Sequence, residues 1–258
     1  MRTGAKAAAT ALSLAAASAV LAGPAAAEPA KPTIVLVHGA FADATSWDGV
    51  ASGLRADGYR VVVPDNPLRG PGSDAAAIER TLAGIDGPIV LVGHSYGGAV
   101  ITNVDDPDVK SLVYIAAFGP QQNEPAAVAI NPLQFPGSRL LPPALAVKPS
   151  ESGLDAYVEP AYFHDLFAQD VSPATAANMV AHQKSAAVIG NVELSGPAAW
   201  TKTPSWYLVS AQDRVIPPAA QRFLAQRMNA HTSEVDASHA SLVSQPAAVV
   251  AVIEEAAG

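Results

Sequence analysis

The chain has no cysteine among its 258 residues. That excludes a thiol nucleophile, a cysteine-ligated metal centre and any disulfide, so stability has to come from a sufficiently large core. Charge is scarce too. Only 15% of residues are Asp, Glu, Lys or Arg, and 23 acids face 15 bases. An acidic balance argues against nucleic acid or an anionic membrane surface as partner. There is no internal repeat and no heptad pattern. There is also no metal-ligating cluster and no nucleotide-binding glycine loop, so neither a metal nor a cofactor is expected.

Long apolar runs are confined to the beginning. Ala7 to Ala22 is nearly uncharged, but it is short and alanine-rich for a membrane span. Arg2 and Lys6 precede it, Gly23-Pro24 breaks it, and Ala25-Ala26-Ala27 offers a small-residue cleavage site before Glu28. Residues 1–27 are therefore expected to be a secretory signal peptide, with no Arg-Arg pair to suggest the twin-arginine route. Arg2 and Lys6 would leave with it, so 13 of the 15 bases would face all 23 acids, a net charge of −10. The expected location is the periplasm or the medium, with no stable membrane association after cleavage.

What is present is apolar and alternating. Half of the residues are hydrophobic, enough for a substantial core. Thr33–Val37, Arg60–Val63, Ile89–Gly93, Ser111–Ala117, Ser205–Ser210 and His231–Val235 read as strands. Helical stretches separate them at 44–56, from Ser73 or Asp74 to about Ile85, at 99–104, at 218–228 with Phe223 and Leu224 inward, and at 245–256. Trp47, Val50 and Leu54 share one helix face. Such alternation implies a mainly parallel, doubly wound α/β sheet covered on both faces. Between Phe118 and Ala199 there is no strong strand. Prolines are frequent, aromatics gather, and the stretch is too long for a simple connection and too apolar for disorder. It reads as an inserted, mostly helical lid at about 119–199 in a single domain, residues 28–258.

The chemistry centres on Ile89-Val-Leu-Val-Gly-His-Ser-Tyr-Gly-Gly-Ala99. This is a G-x-S-x-G pattern between a strand and a helix. A serine at the tip of so tight a turn brings its neighbours two positions away into close contact, and Gly93 and Gly97 have no Cβ to clash there. Serine needs a base and a group to orient that base. Asp213, in Ser210-Ala-Gln-Asp-Arg-Val-Ile-Pro217, and His239, in Asp236-Ala-Ser-His-Ala240, follow later strands in the order this architecture uses. In a parallel sheet all three lie at the carboxyl edge, where ligands bind. His38 reads as packing beside the first turn, and His94 as pointing away from Ser95. The backbone N–H of Tyr96 and one from the His38-Gly39-Ala40-Phe41 turn would meet an oxyanion. Ala40 is the better candidate for the second donor, with Phe41 the alternative.

These residues resemble the α/β-hydrolase superfamily over nearly all of the chain past residue 27. Within it, they are similar to the small serine esterases grouped with plant methylesterases and hydroxynitrile lyases. Val35-Leu-Val-His-Gly-Ala40 with Trp47, Gly93-His-Ser-Tyr-Gly-Gly98, Asp213-Arg-Val-Ile-Pro217 and Ser238-His-Ala-Ser-Leu-Val-Ser-Gln-Pro246 carry the resemblance. It implies Ser95 as nucleophile, His239 as base, Asp213 as its orienter, and Ala40 and Tyr96 as donors. The lyases carry a threonine and a lysine where this chain has Gly39 and Ala240, which favours ester hydrolysis over cyanohydrin cleavage. The expected substrate is a small-molecule carboxylic ester, with Phe41, Phe118, Tyr162 and Phe167 as candidate walls of an apolar pocket. Tyr162, Phe163 and Phe167 could instead form only the lid's own core. Two other readings remain. One is a cofactor-free perhydrolase like the non-haem haloperoxidases of similar fold, and the other is a non-catalytic ligand-binding member. The oligomeric state is open.

Overall fold

In the computed structural model, which describes residues 31–151 and 153–258 with residues 1, 3 and 4, the chain divides into two units, Met1–Ala30 and Lys31–Gly258. The expected signal peptide falls almost wholly outside the described residues, and every described strand and helix belongs to the second unit. Its first element, β1 (Thr33–Val37), is buried along its whole length, as a run without a polar face must be. A 3₁₀ turn at Ala44–Trp47, capped by the Asp43 side chain, leads into α1 (Asp48–Ala56), and Trp47, Val50 and Leu54 are fully buried. Next come β2 (Val61–Val62) and α2 (Pro71–Leu82).

Helix α2 begins two to three residues before the expected cap at Ser73 or Asp74. Pro71 occupies the first turn, where its fixed φ suits a helix and its missing N–H is no loss. Asp74 is buried and accepts from the Arg69 N–H at 3.0 Å instead of capping at the surface. The centre of the domain follows as β3 (Ile89–His94), α3 (Tyr96–Thr102) and β4 (Val109–Ile115).

The insertion differs from the expectation that it lacks strands. It contains β5 (Leu145–Ser150) and β6 (Gly153–Val158), an antiparallel pair, then α4 (Pro160–Phe167), α5 (Pro173–Ala181) and the short β7 (Ala186–Ala187), which pairs with β6. The chain closes with β8 (Ser205–Ser210), α6 (Pro218–Arg227), β9 (His231–Val235), α7 (Ser241–Ser244) and α8 (Pro246–Ala257). On α6 the inward residues are Ala220, Gln221, Leu224 and Ala225. Phe223, expected inward, is 38% exposed and leans on Phe135 of the insertion, with ring centroids 5.3 Å apart.

The main sheet has the order β2-β1-β3-β4-β8-β9 and every pairing in it is parallel. Alternate side chains serve the two faces. Ile34, Leu36, Val90, Val92, Val113 and Ile115 pack under α1 and α8, together with Trp47, Leu54, Val249 and Ile253. Val35, Val37, Leu91, Leu112 and Tyr114 face a second cluster that runs through α3 and α6 into the insertion. Ser95, Asp213 and His239 follow the carboxyl ends of β3, β8 and β9. No helix among the described residues is long and apolar enough to cross a membrane.

Candidate active site

The turn from β3 into α3 is sterically tight. Ser95 has φ 52° and ψ −121°, a strained conformation for a residue with a side chain. A Cβ on Gly93 would lie 2.6 Å from the Gly97 carbonyl carbon and oxygen, and one on Gly97 would lie 2.4 Å from the Val37 carbonyl oxygen. Neither contact is possible, which is why the turn carries glycine at both positions. The neighbouring turn after β1 comes equally near, since a Cβ on Gly39 would sit 2.8 Å from the Ser95 Cβ.

Three loops from separate strands meet in one line of hydrogen bonds. His239 Nε2 is 2.8 Å from Ser95 Oγ, and His239 Nδ1 is 2.6 Å from Asp213 Oδ2. Carboxylates only accept, so Nδ1–H donates to Asp213 and leaves the Nε2 lone pair facing the serine hydroxyl. The carboxylate is saturated with donors. Val215 N–H and Ile216 N–H reach Oδ1 at 2.7 and 2.9 Å, and Gln221 Nε2 reaches Oδ2 at 2.8 Å. Asp213 and His239 are both buried.

Further groups hold the imidazole, and sequence reasoning missed them. His94 Nε2–H donates to the His239 carbonyl oxygen at 2.9 Å, so the residue set aside as pointing away from Ser95 fixes the neighbouring histidine's backbone. Burial keeps the His94 imidazole well below its usual pKa, and so neutral. Ser238 N–H donates to Asp170 Oδ2 at 2.8 Å, and Ala240 N–H to the Phe167 carbonyl at 3.1 Å. The Phe167 ring meets the His239 ring edge to face, centroids 4.6 Å apart. Nothing in sequence spacing links positions 94, 167, 170 and 221 to position 239. His38, also buried, donates from Nδ1 to the Gly39 carbonyl and accepts the Asn66 N–H at Nε2, bracing the turn after β1.

Ser95 opens onto a chamber of about 250 Å³. Ala40, Phe41, Tyr96, Phe118 and Phe167 line it, five of the residues singled out from sequence. Tyr162 does not. On α4 the inward pair is Phe163 and Phe167, one turn apart and stacked at 4.9 Å. Tyr162 stands about 100° round the helix from Phe163, is 43% exposed, and borders a separate hollow beside Arg139 and Leu166. Phe41, at φ 62°, turns the β1 loop over the chamber next to Ala40. The Tyr96 hydroxyl donates to the buried Asp74 carboxylate at 2.8 Å, and burial pushes both groups upward in pKa. Among the described residues no Asp, Glu, Lys or Arg lines the chamber, and no cluster of His, Asp or Glu is arranged to hold a metal ion.

Comparison with known proteins gives consistent matches. A model described as the alpha/beta hydrolase family matches residues 34–252. The chain is similar to a carbendazim hydrolyzing esterase of Nocardioides sp. (strain SG-4G), 34% identical over 117 residues that make up 40% of this chain and 48% of that protein. It is similar to methylesterase 8 of Arabidopsis thaliana, 33% identical over 140 residues, 45% of this chain and 51% of that one. Both alignments span about half of the relative. A crystal structure of a pyrethroid hydrolase from Sphingobium faniae JZ-2 superimposes with a TM-score of 0.69 over 88% of this chain and 97% of that one, at 22% identity, a likeness of fold.

Proposed function

Because the chain belongs to the alpha/beta hydrolase family, we propose that it cleaves carboxylic esters through Ser95, His239 and Asp213 and a covalent acyl-enzyme. The observation that carries this reading is the Asp213–His239–Ser95 line of hydrogen bonds ending at an apolar chamber. His239 Nε2 takes the Ser95 proton as Oγ attacks the ester carbonyl, and the charge that develops on the carbonyl oxygen is met by backbone N–H groups. Tyr96 supplies one donor from the helix N-terminus, and Ala40 or Phe41 the other. His239 then gives its proton to the departing alkoxide, and water repeats the sequence to release the acid. Asp213 holds the imidazole in the one tautomer that can accept from serine.

The substrate is an uncharged ester with small or medium apolar acyl or aryl groups, since among the described residues no Asp, Glu, Lys or Arg lines the chamber to pair with a charge. The esterase relatives support an ester in particular. Residues 28–258 act as one hydrolase domain with its lid at about 119–199, and residues 1–27 as a cleaved export signal. The test is hydrolysis of p-nitrophenyl esters from acetate to decanoate by the wild type and Ser95→Ala. Turnover that falls by several orders of magnitude in the variant supports the reading. A folded wild type inactive on every ester, or a variant with undiminished turnover, refutes it. Expression of the full chain tests export, with a product beginning at Glu28 outside the cytoplasm as the expected result.

A further inference from the structure

The lid hairpin continues the chamber wall outward. Along β5, Leu145 and Val147 line the chamber, and Ala156, paired with Val147 on β6, lines it beside them. Side chains alternate along a strand and cross-strand partners share a face. The next pair on that face is Pro149 and Leu154. It lies roughly 7 Å further along the strands, and Leu154 is not part of the chamber lining. Lys148 and Asp155 fall on the opposite face. The apolar strip therefore runs out of the chamber into water. Val147, Leu154 and Leu141 are each about half exposed, and so is Val192, which lines the chamber from the segment after β7. Side chains at once part of the pocket wall and open to solvent form an unfinished wall, and the strip beyond them is continuous with it.

From this geometry we infer that the Val147–Leu154 strip, flanked by Leu141 and Val192, is a distal subsite for the apolar tail of an ester too long for the chamber. The occupant is a neutral alkyl or aryl chain continuous with the group beside Ser95. This rests on the ester-hydrolase reading for its reaction, but not for its binding.

The test is a chain-length ladder of p-nitrophenyl esters from acetate to dodecanoate, kept below micellar concentration. Wild-type kcat/KM keeps rising after the chamber is full, by about twofold per methylene, half the logarithmic gain of full burial. Leu154→Glu flattens that outer part of the ladder, lowering the decanoate-to-butanoate ratio by at least about fivefold. Leu133→Glu, at a lid leucine 96% exposed and outside the chamber, is the control and keeps the wild-type ratio. A parallel calorimetric ladder uses 2-alkanones, uncleavable stand-ins for the esters, on Ser95→Ala with and without Leu154→Glu. If no ester is hydrolysed but the ketone ladder shows the same Leu154-dependent outer limb, the reaction assignment fails and the subsite stands. A wild-type ladder that drops once the chamber is full, or identical ketone ladders with and without Leu154→Glu, overturns the subsite. So does a stable dimer in solution that Leu154→Glu dissociates, since the strip would then be covered by a second copy.

Discussion

Replacing Asp213 by asparagine tests the whole arrangement at one atom. The carboxylate accepts four hydrogen bonds and gives none. An amide of the same shape can keep its oxygen toward the Val215 and Ile216 N–H groups, which are fixed backbone donors. Its NH₂ then faces Gln221 Nε2 and His239 Nδ1, both donors as they stand. Gln221 cannot turn over, because its Oε1 accepts the Ser210 N–H at 2.9 Å and its Nε2 also donates to the Ile216 carbonyl at 2.8 Å. His239 can respond by moving its proton to Nε2, so that Nδ1 accepts from the new amide. The proton then points at Ser95, and the proposed base is lost although every heavy atom is in place. The expected fall in kcat is about 10⁴-fold, or about 5.5 kcal/mol, the size found when this exchange strands an imidazole in the wrong tautomer. The remaining donor–donor contact with Gln221 should lower stability by about 1–3 kcal/mol. Steady-state turnover of a soluble short ester, with urea unfolding alongside, reads both. Activity within tenfold of wild type, in a protein that melts normally, would show that Asp213 does not set the tautomer.

The buried neutral His94 gives an acid-sensitivity with a definite sign. Its unfolded form takes up a proton near pH 6.5 while burial keeps the folded form from doing so. The stability it contributes is therefore whole above pH 6.5 and shrinks as pH falls, by up to about 1.4 kcal/mol per unit, until the lowered folded value is reached. His38 acts in the same direction, so His94→Gln should flatten, not abolish, the decline of the urea midpoint between about pH 6.5 and 5, and an unchanged slope counts against the assignment. Arg69→Met strips the guanidinium at 2.8 Å from the buried Asp155 carboxylate and should lower stability at pH 7 by about 1–3 kcal/mol. Arg69 holds Asp155 below the usual carboxylate range, so that loss should narrow as acid protonates the carboxylate. A loss equal at pH 7 and in acid would refute the coupling. Gly97→Ala forces a Cβ against the Val37 carbonyl oxygen and should reduce stability by about 3 kcal/mol or more; an unchanged melting temperature would contradict the clash.

How far the sequence led depended on whether a signal was local. Strands β1 and β3 were legible because strands buried on both faces need unbroken apolar runs, β4 only from its apolar half past Ser111, and the serine turn because only glycine fits beside it at positions 93 and 97. The hairpin β5–β6 was not. Pro149 and Lys148 argue against a strand, and only its place at the edge of the small sheet lets β5 carry a proline. The start of α2 is misread from sequence because Asp74 resembles a cap, while its actual role is to receive the nearby Arg69 N–H and, from α3, the Tyr96 hydroxyl, a contact that depends on tertiary packing. Composition groups Tyr162 with Phe163 and Phe167, although one residue of helical rotation separates an inward ring from an outward one. The pairing of His94 with the His239 carbonyl joins positions 145 residues apart, and no periodicity reports such a bond.

The attachment of His239 to the inserted segment also limits how this protein can be remodelled. Phe167 and Asp170, at the end of α4 and just beyond it, supply the carbonyl, carboxylate and ring that seat the loop carrying the imidazole. If the proposed roles hold, a cap grafted from a relative to change substrate range would remove part of the mounting of His239, the proposed base, along with the chamber wall. The transplantable portion is the outer part of the hairpin around residues 147–154, and a graft should leave residues 160–171 native along with Asp155 and Glu193, which bond to Arg69 and Gly72 of the main domain. Divergence within the insertion faces the same boundary: its outer strands can drift, while the end of α4 must evolve together with the loop around His239.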